Sequence, residues 1–262
     1  MNPEHLSSLR ACVRGAKPAV VAFSGGADST LLLRIAKEEM GDGALAVMAV
    51  SELIPSVDIH RAREIAAGLD VPLETVEFHP LQDDGLRGNG PQRCYHCKRA
   101  MLQAILDLAG KRGLGTVMDG TNADDLGEPR PGNLAVQELG IRSPLAEVGM
   151  TSDEVRSSLE GMGMVPPDGN TCLATRIPFH RELREEELRQ VEEAEEALRA
   201  MGLSSLRVRH HGPIARVEVP IRDMRVVLDR REEVVGLLRA AGFDYVALDL
   251  EGLGSGSMER ML

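Results

Sequence analysis

Four short apolar runs recur through roughly the first 165 positions, at Ala19–Ser24, Ala44–Ser51, Pro72–Phe78 and Thr116–Gly120, and amphipathic stretches separate them. Strands spaced by helix-length segments satisfy their backbone and bury both faces as a parallel sheet with helices on each side. The expected fold class is therefore α/β, a doubly wound parallel sheet. Ser56 precedes "VDIHRAREIAAGLD" and Ser152 precedes "DEVRSSLEGMG", with glycine near the end of each, as helix start and stop signals require. The segment Gly85–Pro91, "GLRGNGP", reads as a turn-rich insertion.

After "MVPPDGN" the composition changes. "RELREEELRQVEEAEEALRAMG" reads as one long charged helix ending at Gly202. Ser205–His211 and Ala215–Pro220 alternate as two strands of a hairpin joined by Gly-Pro. A helix at Arg231–Ala241 and a strand at Tyr245–Asp249 complete a smaller α+β domain, and the tail "GLGSGSMERML" is expected to be flexible. The division falls at 1–165 and 166–262.

The 262 residues include 2% aromatics and no Trp, so the core must be built from Leu, Val, Ile, Ala and Met. A net charge of −11 argues against nucleic acid, whose binding needs clustered Lys and Arg. The sequence shows neither a signal-peptide pattern nor an apolar run of membrane-span length, and a cytoplasmic location without membrane attachment is expected. In that compartment Cys12, Cys94, Cys97 and Cys172 read as reduced thiols, ligands or nucleophiles.

"VVAFSGGADSTLLL", from Val20, places a glycine-rich turn between a strand and a helix. Free N–H groups and the positive helix end gather there, and Gly25 and Gly26 let a ligand approach the backbone. Ser24 and Asp28 could alternatively be helix caps. No lysine follows the glycines, so this is not a Walker loop. The full pattern of Ser24, Gly25, Gly26, Asp28 and Ser29 resembles the PP-loop of ATP pyrophosphatases, which cradles the pyrophosphate released when ATP adenylates a substrate. The resemblance explains an acid at a phosphate site: Asp28 would hold Mg²⁺ against the phosphates.

Five further stretches narrow the resemblance: "QRCYHCKRAML", "DGTNADDLGEPRPG", "RSPLAEVGMTSDEVR", "NTCLATRIP" and "LRVRHHGPIARVEV". Together they resemble the LarE family of ATP-dependent sulfur transferases, which act in nickel-pincer nucleotide biosynthesis for lactate racemase. That resemblance implies a small nucleotide substrate, pyridinium-3,5-biscarboxylic acid mononucleotide, whose carboxylate is adenylated and then converted to a thiocarboxylate. It assigns sulfur delivery to Cys172; a lone cysteine is more often a small buried hydrophobe, but the turn residues of "DGNTCLATRIP" put this one on a loop. Arg176, near Cys172, would favour the thiolate.

Cys94 and Cys97 form a Cys-x-x-Cys pair, most often a zinc half-site or redox couple. Some family members hold a [4Fe–4S] cluster on three cysteines as the sulfur source, and Cys94, Cys97 and Cys172 match that number. Asn122 and Asp125 could form only a capped turn; the resemblance implies that they line the nucleotide pocket, with Arg130 nearby, and Lys98 would be either a phosphate or adenylate contact or a solvated helix residue. Arg207 and Arg209, two apart on one strand, point to one face. The pair would be either a solvated sheet face or, as the resemblance implies, the site of the substrate phosphate, with Glu195, Glu218 and Arg176 as neighbours. His210 and His211 read as surface residues, and Cys12 as packing. A homo-oligomer is expected. The rival readings are an amidating synthetase, a tRNA sulfur transferase and a non-catalytic ATP sensor.

Overall fold

The computed structural model describes residues 2–127, 131–167, 169 and 171–254. Arg130 and the final residues 255–262 of the tail, for which a pocket role and flexibility are expected above, lie outside the described residues. The chain divides into two compact units, Met1–Pro80 with Cys94–Asn170, and Leu81–Arg93 with Thr171–Leu262.

The first unit contains α1 (Pro3–Arg14), β1 (Ala19–Ala22), α2 (Ala27–Met40), β2 (Ala44–Val50), α3 (Ser56–Gly68), β3 (Leu73–Glu77), α4 (Arg93–Lys111), β4 (Thr116–Met118) and α5 (Ser152–Gly161), with shorter helices between. Its sheet has the order β3-β2-β1-β4, and every pairing is parallel. The period of two assigns the strand residues to opposite faces. Ala19, Val21, Ala46, Met48 and Met118 join α1, α2, α3 and α5 in one core, while Val20, Val47, Ala49 and Val117 join α4 in another. The α/β expectation holds, with each strand a residue or two shorter than its apolar run.

Two helix starts differ from the sequence signals. Ser56 is the first residue of α3, and Pro55 occupies the cap without a side-chain bond. The cap of α5 is Thr151, not Ser152, because Thr151 and Glu154 form a reciprocal capping box.

In the second unit β5 (Arg207–His211) and β6 (Ile214–Glu218) form the expected antiparallel hairpin, and β7 (Tyr245–Leu248) adds parallel to β6. Apolar residues of α6 (Glu185–Ala200) and α7 (Arg231–Ala240), including Leu188, Val191, Leu198, Val234 and Leu238, are buried with Val208, Ala215 and Val217. Residues Leu81–Arg93 pack within this unit although they precede it by about eighty positions in sequence. Asn89 explains why. It is fully buried at φ +53°, donates to the carbonyls of Ile177 (3.3 Å) and Pro178 (2.8 Å), and accepts from Arg93. Arg93 in turn lies 4.2 Å over the Phe179 ring.

His210 departs from its expected surface position. It is buried, lies edge-on to Phe243 with centroids 5.4 Å apart, and accepts at Nδ1 from the Gly212 amide, leaving Nε2 to donate to Gln190. Burial lowers its pKa and that of half-buried His211, which also faces Arg216. The unfolded chain, with histidines near their ordinary value of about 6.5, therefore binds more protons in weak acid than the folded chain does. Stability is expected to fall as pH drops below about 6.5, before carboxylates titrate. Denaturant midpoints measured across that window should show the slope, and a His210→Gln, His211→Gln variant should flatten it.

Candidate active site

The loop after β1 and the loop after β4 meet at the carboxyl ends of the parallel strands. Here β1 is flanked by β2 on one side and β4 on the other, the switch point at which open α/β sheets bind ligands. Ser24 begins the first loop; its Oγ lies 3.0 Å from Ser29 Oγ, and Ser29 donates to the Gly26 carbonyl at 3.2 Å. Gly25 has φ +72°, and a Cβ there would come within 3.1 Å of Ala62 on α3. The positive φ favours glycine here, and a side chain would also crowd α3. Gly26 caps α2 without a side-chain bond, so a ligand can meet the first-turn N–H groups.

From the second loop, Asn122 Nδ2 donates to Asp28 Oδ1 at 3.1 Å. Asn122 and Asp125 also brace each other, each backbone N–H bonding the other's side chain at 3.1 Å. Gly120 makes the approach possible: a Cβ there would lie 2.8 Å from the Ser29 amide nitrogen. Gly120 carries no signal in the sequence, since only the packing of the two loops makes it necessary. Asp28 is half-buried, and its pKa is raised by burial and by the neighbouring carboxylates Asp125 and Asp124, against the lowering effect of Asn122. A cation would relieve this clustering of negative charge.

Lys98 of α4 reaches the same loop. Its ammonium is 3.0 Å from Asp119 and 3.4 Å from Thr121 Oγ1. Asp119 is buried, which would raise its pKa, but Lys98 together with Ser143 (2.6 Å) and Thr121 (2.7 Å) outweighs burial and lowers it. It is a fixed anion holding a fixed cation.

Among the described residues no three His, Cys, Asp or Glu side chains form a group able to hold a metal ion. Asp28 nevertheless suits Mg²⁺, which commonly takes one or two carboxylates and completes its shell with substrate phosphates and water. Cys94 and Cys97 lie one turn apart at the start of α4; Cys94 is exposed, and Cys97 packs against the apolar cluster beneath the sheet. As a donor set they suit two thiolate ligands of an iron–sulfur cluster. Cys172 belongs to the second unit. Cys12, expected only to pack, accepts from Arg142 at 3.1 Å and donates to Glu147 at 3.2 Å.

The second unit has its own charged centre. Cys172 precedes a single turn, Leu173–Arg176, and its carbonyl accepts from the Thr175 amide, the Thr175 hydroxyl and Arg176. Arg176 is completely buried. It makes a two-pronged bond to Glu195 (2.8 and 3.0 Å) and donates through Nη1 to Thr171 and Thr175 as well as Cys172. Glu195 also accepts from Arg199 and from the Val208 amide. Burial raises the Glu195 pKa less than Arg176 and these other donors lower it.

Arg209 is buried, bonding Glu218 at 2.7 Å and the Thr175 carbonyl at 2.9 Å. Arg207, half-buried on the same strand, has no carboxylate in ion-pair contact among the described residues and donates to the Leu206 carbonyl. Burial, with Arg176, Arg209 and Arg199 adding to it against Glu195, pushes its pKa down to about 10. A guanidinium in this condition is a ready site for an anion.

No protein-family model matches the chain. It is 35% identical to an uncharacterised protein of Synechocystis over 98% of this chain and 97% of the other. It is 34% identical to the pyridinium-3,5-bisthiocarboxylic acid mononucleotide synthase of Lactiplantibacillus plantarum, over 98% of this chain and 94% of the synthase. Argininosuccinate synthase of Natronomonas pharaonis is 27% identical over 55% of this chain and 38% of its own. The fold, the Ser24–Ser29 loop and these similarities define an ATP-dependent enzyme of the PP-loop class. Within that class the chain belongs to the LarE family of pyridinium-3,5-bisthiocarboxylic acid mononucleotide synthases.

Proposed function

We propose that this enzyme adenylates a carboxylate of pyridinium-3,5-biscarboxylic acid mononucleotide, releases pyrophosphate, and replaces a carboxylate oxygen with sulfur to give a thiocarboxylate. The observation that carries the activation step is the meeting of the two loops at Asp28 and Asn122. N–H groups at the start of α2 receive the pyrophosphate, and Asp28 holds Mg²⁺, which supplies charge neutralisation for the leaving group. Lys98, oriented by Asp119, steadies the α-phosphate as the carboxylate oxygen attacks it. Asn122 and Asp125 keep the second loop against the first.

Arg207 takes the substrate phosphate, supported by Arg209. Glu195 and Glu218 keep the arginines in place, and Arg176, whose donors are occupied by protein, fixes the Cys172 turn. Two sulfur routes both need Cys172. In the first, its thiolate attacks the acyl adenylate, AMP leaves and a thioester forms; loss of the Cα proton then breaks Cβ–Sγ and releases the thiocarboxylate, leaving dehydroalanine. In the second, Cys94, Cys97 and Cys172 would hold a [4Fe–4S] cluster, whose chemistry there would be to supply a sulfide that displaces AMP from the acyl adenylate. The location is cytoplasmic and the assembly a homo-oligomer.

Pyrophosphate release that depends on the carboxylate substrate tests this reading against an ATP sensor; release without that substrate, or none with it, contradicts it. Arg207→Ala should weaken mononucleotide binding about tenfold or more while leaving ATP affinity and thermal stability unchanged or higher, because an unbalanced half-buried charge is removed. Arg209→Ala should instead lower the melting temperature, because fully buried Glu218 would lose one of its guanidinium partners and keep Arg216. Calorimetric titration and thermal melts of both variants check the pair.

A further inference from the structure

The Ser24–Ser29 loop is held from behind by a residue that the activation chemistry has not used. Arg61 of α3 donates through Nε to the Gly25 carbonyl at 3.1 Å, and its Nη2 lies 2.7 Å from Asp58, one turn earlier on the same helix. Asp58 is buried and Arg61 largely covered, with side-chain exposures of 9% and 24%. The next residue, Ala62, is the one a Cβ on Gly25 would strike. The loop is therefore both packed against α3 and bonded to it at one peptide.

That bond has an electrostatic consequence for an anion site. The peptide of Gly25 adjoins the N–H groups at the start of α2, and its carbonyl dipole would repel a phosphate if it turned toward them. Binding it to a guanidinium keeps the oxygen directed at α3 and adds a positive charge behind the loop. Asp58 aims the guanidinium and prevents it from swinging away to solvent.

We propose that Arg61 is a positioning residue of the ATP site, fixing the Gly25 peptide so that the loop presents donors and not an acceptor to the pyrophosphate. This rests on the reading of the Ser24–Ser29 loop as the pyrophosphate site. Arg61→Met retains the apolar stem and removes every donor, while Arg61→Lys retains a donor and the charge. Calorimetric titration of the full chain with Mg-ATP, and separately with Mg-pyrophosphate, should show both affinities about tenfold weaker in Arg61→Met and largely restored in Arg61→Lys. Mononucleotide affinity should be unchanged in both. Asp28→Ala, titrated in parallel, separates the two ideas. Lost affinity in Asp28→Ala with none lost in Arg61→Met overturns the role of Arg61 alone, whereas unchanged affinity in both overturns the assignment of the loop. A fall in melting temperature for Arg61→Met with ATP, pyrophosphate and mononucleotide affinities all reduced alike also refutes the positioning role.

Discussion

Asp28→Ala is expected to cut pyrophosphate release by at least about 10²-fold while the protein folds normally. The expected loss follows from the position of this carboxylate at the head of α2, where it is half-buried, bonded to Asn122 and crowded by Asp124 and Asp125. Such a group is electrostatically unfavourable without a cation, so its removal should not harm the fold and should if anything stabilise the empty protein slightly. With Mg-ATP present the order reverses, since ligand binding stabilises only the wild type. Melting curves with and without Mg-ATP, beside a coupled pyrophosphate assay, check both halves. Release retained within about tenfold would remove Asp28 from the magnesium site.

Cys172→Ala separates activation from sulfur transfer. The variant is expected to release pyrophosphate in the presence of the mononucleotide and to form no thiocarboxylate at all. Its backbone contacts explain why the surrounding turn survives: the bonds from Thr175 and Arg176 end on the Cys172 carbonyl, which alanine keeps. In wild-type protein, intact mass after one turnover distinguishes the sulfur routes. Loss of about 34 Da, one H₂S, marks cysteine as the consumed donor. An unchanged polypeptide carrying iron and sulfide marks Cys94, Cys97 and Cys172 as cluster ligands. Thiocarboxylate formed by Cys172→Ala would exclude both.

The sheet was legible in the sequence because its signals are local. The parallel strands β1, β2 and β4 are apolar runs largely buried on both faces, whereas β3, "LETVE", is only half-buried or exposed, and "VVAFSGGADS" joins a strand to a helix within a few residues. The hairpin was equally plain from the alternation on either side of Gly212-Pro213. Contacts between distant segments were not legible. "GLRGNGP" is dominated by turn formers, yet Asn89 bonds carbonyls 88 and 89 positions away. His210 and His211 look alike as letters, but adjacent strand residues face opposite ways, so one entered the core.

The candidate site shows the same division. Asp28, Asn122 and Asp125 carry motif signals, and their contact follows from the order of the strands. Gly120 and Arg61 carry none: one is an ordinary loop glycine, the other one charge among many on an amphipathic helix. Their significance lies in a 2.8 Å separation that leaves no room for a side chain, and in one carbonyl that needs a donor. Arg176, Arg207 and Arg209 were indistinguishable by type. Their surroundings tell them apart: Arg176 and Arg209 are paired with Glu195 and Glu218, while Arg207 has no carboxylate in ion-pair contact among the described residues.

The most direct test is a single-turnover reaction of anaerobically purified protein with Mg-ATP and pyridinium-3,5-biscarboxylic acid mononucleotide, followed by mass analysis of the small molecules. One pyrophosphate and one AMP for each mononucleotide that has exchanged an oxygen for a sulfur is the predicted result. Release of ADP and phosphate, or an unaltered mononucleotide beside released pyrophosphate, would contradict adenylation coupled to sulfur transfer.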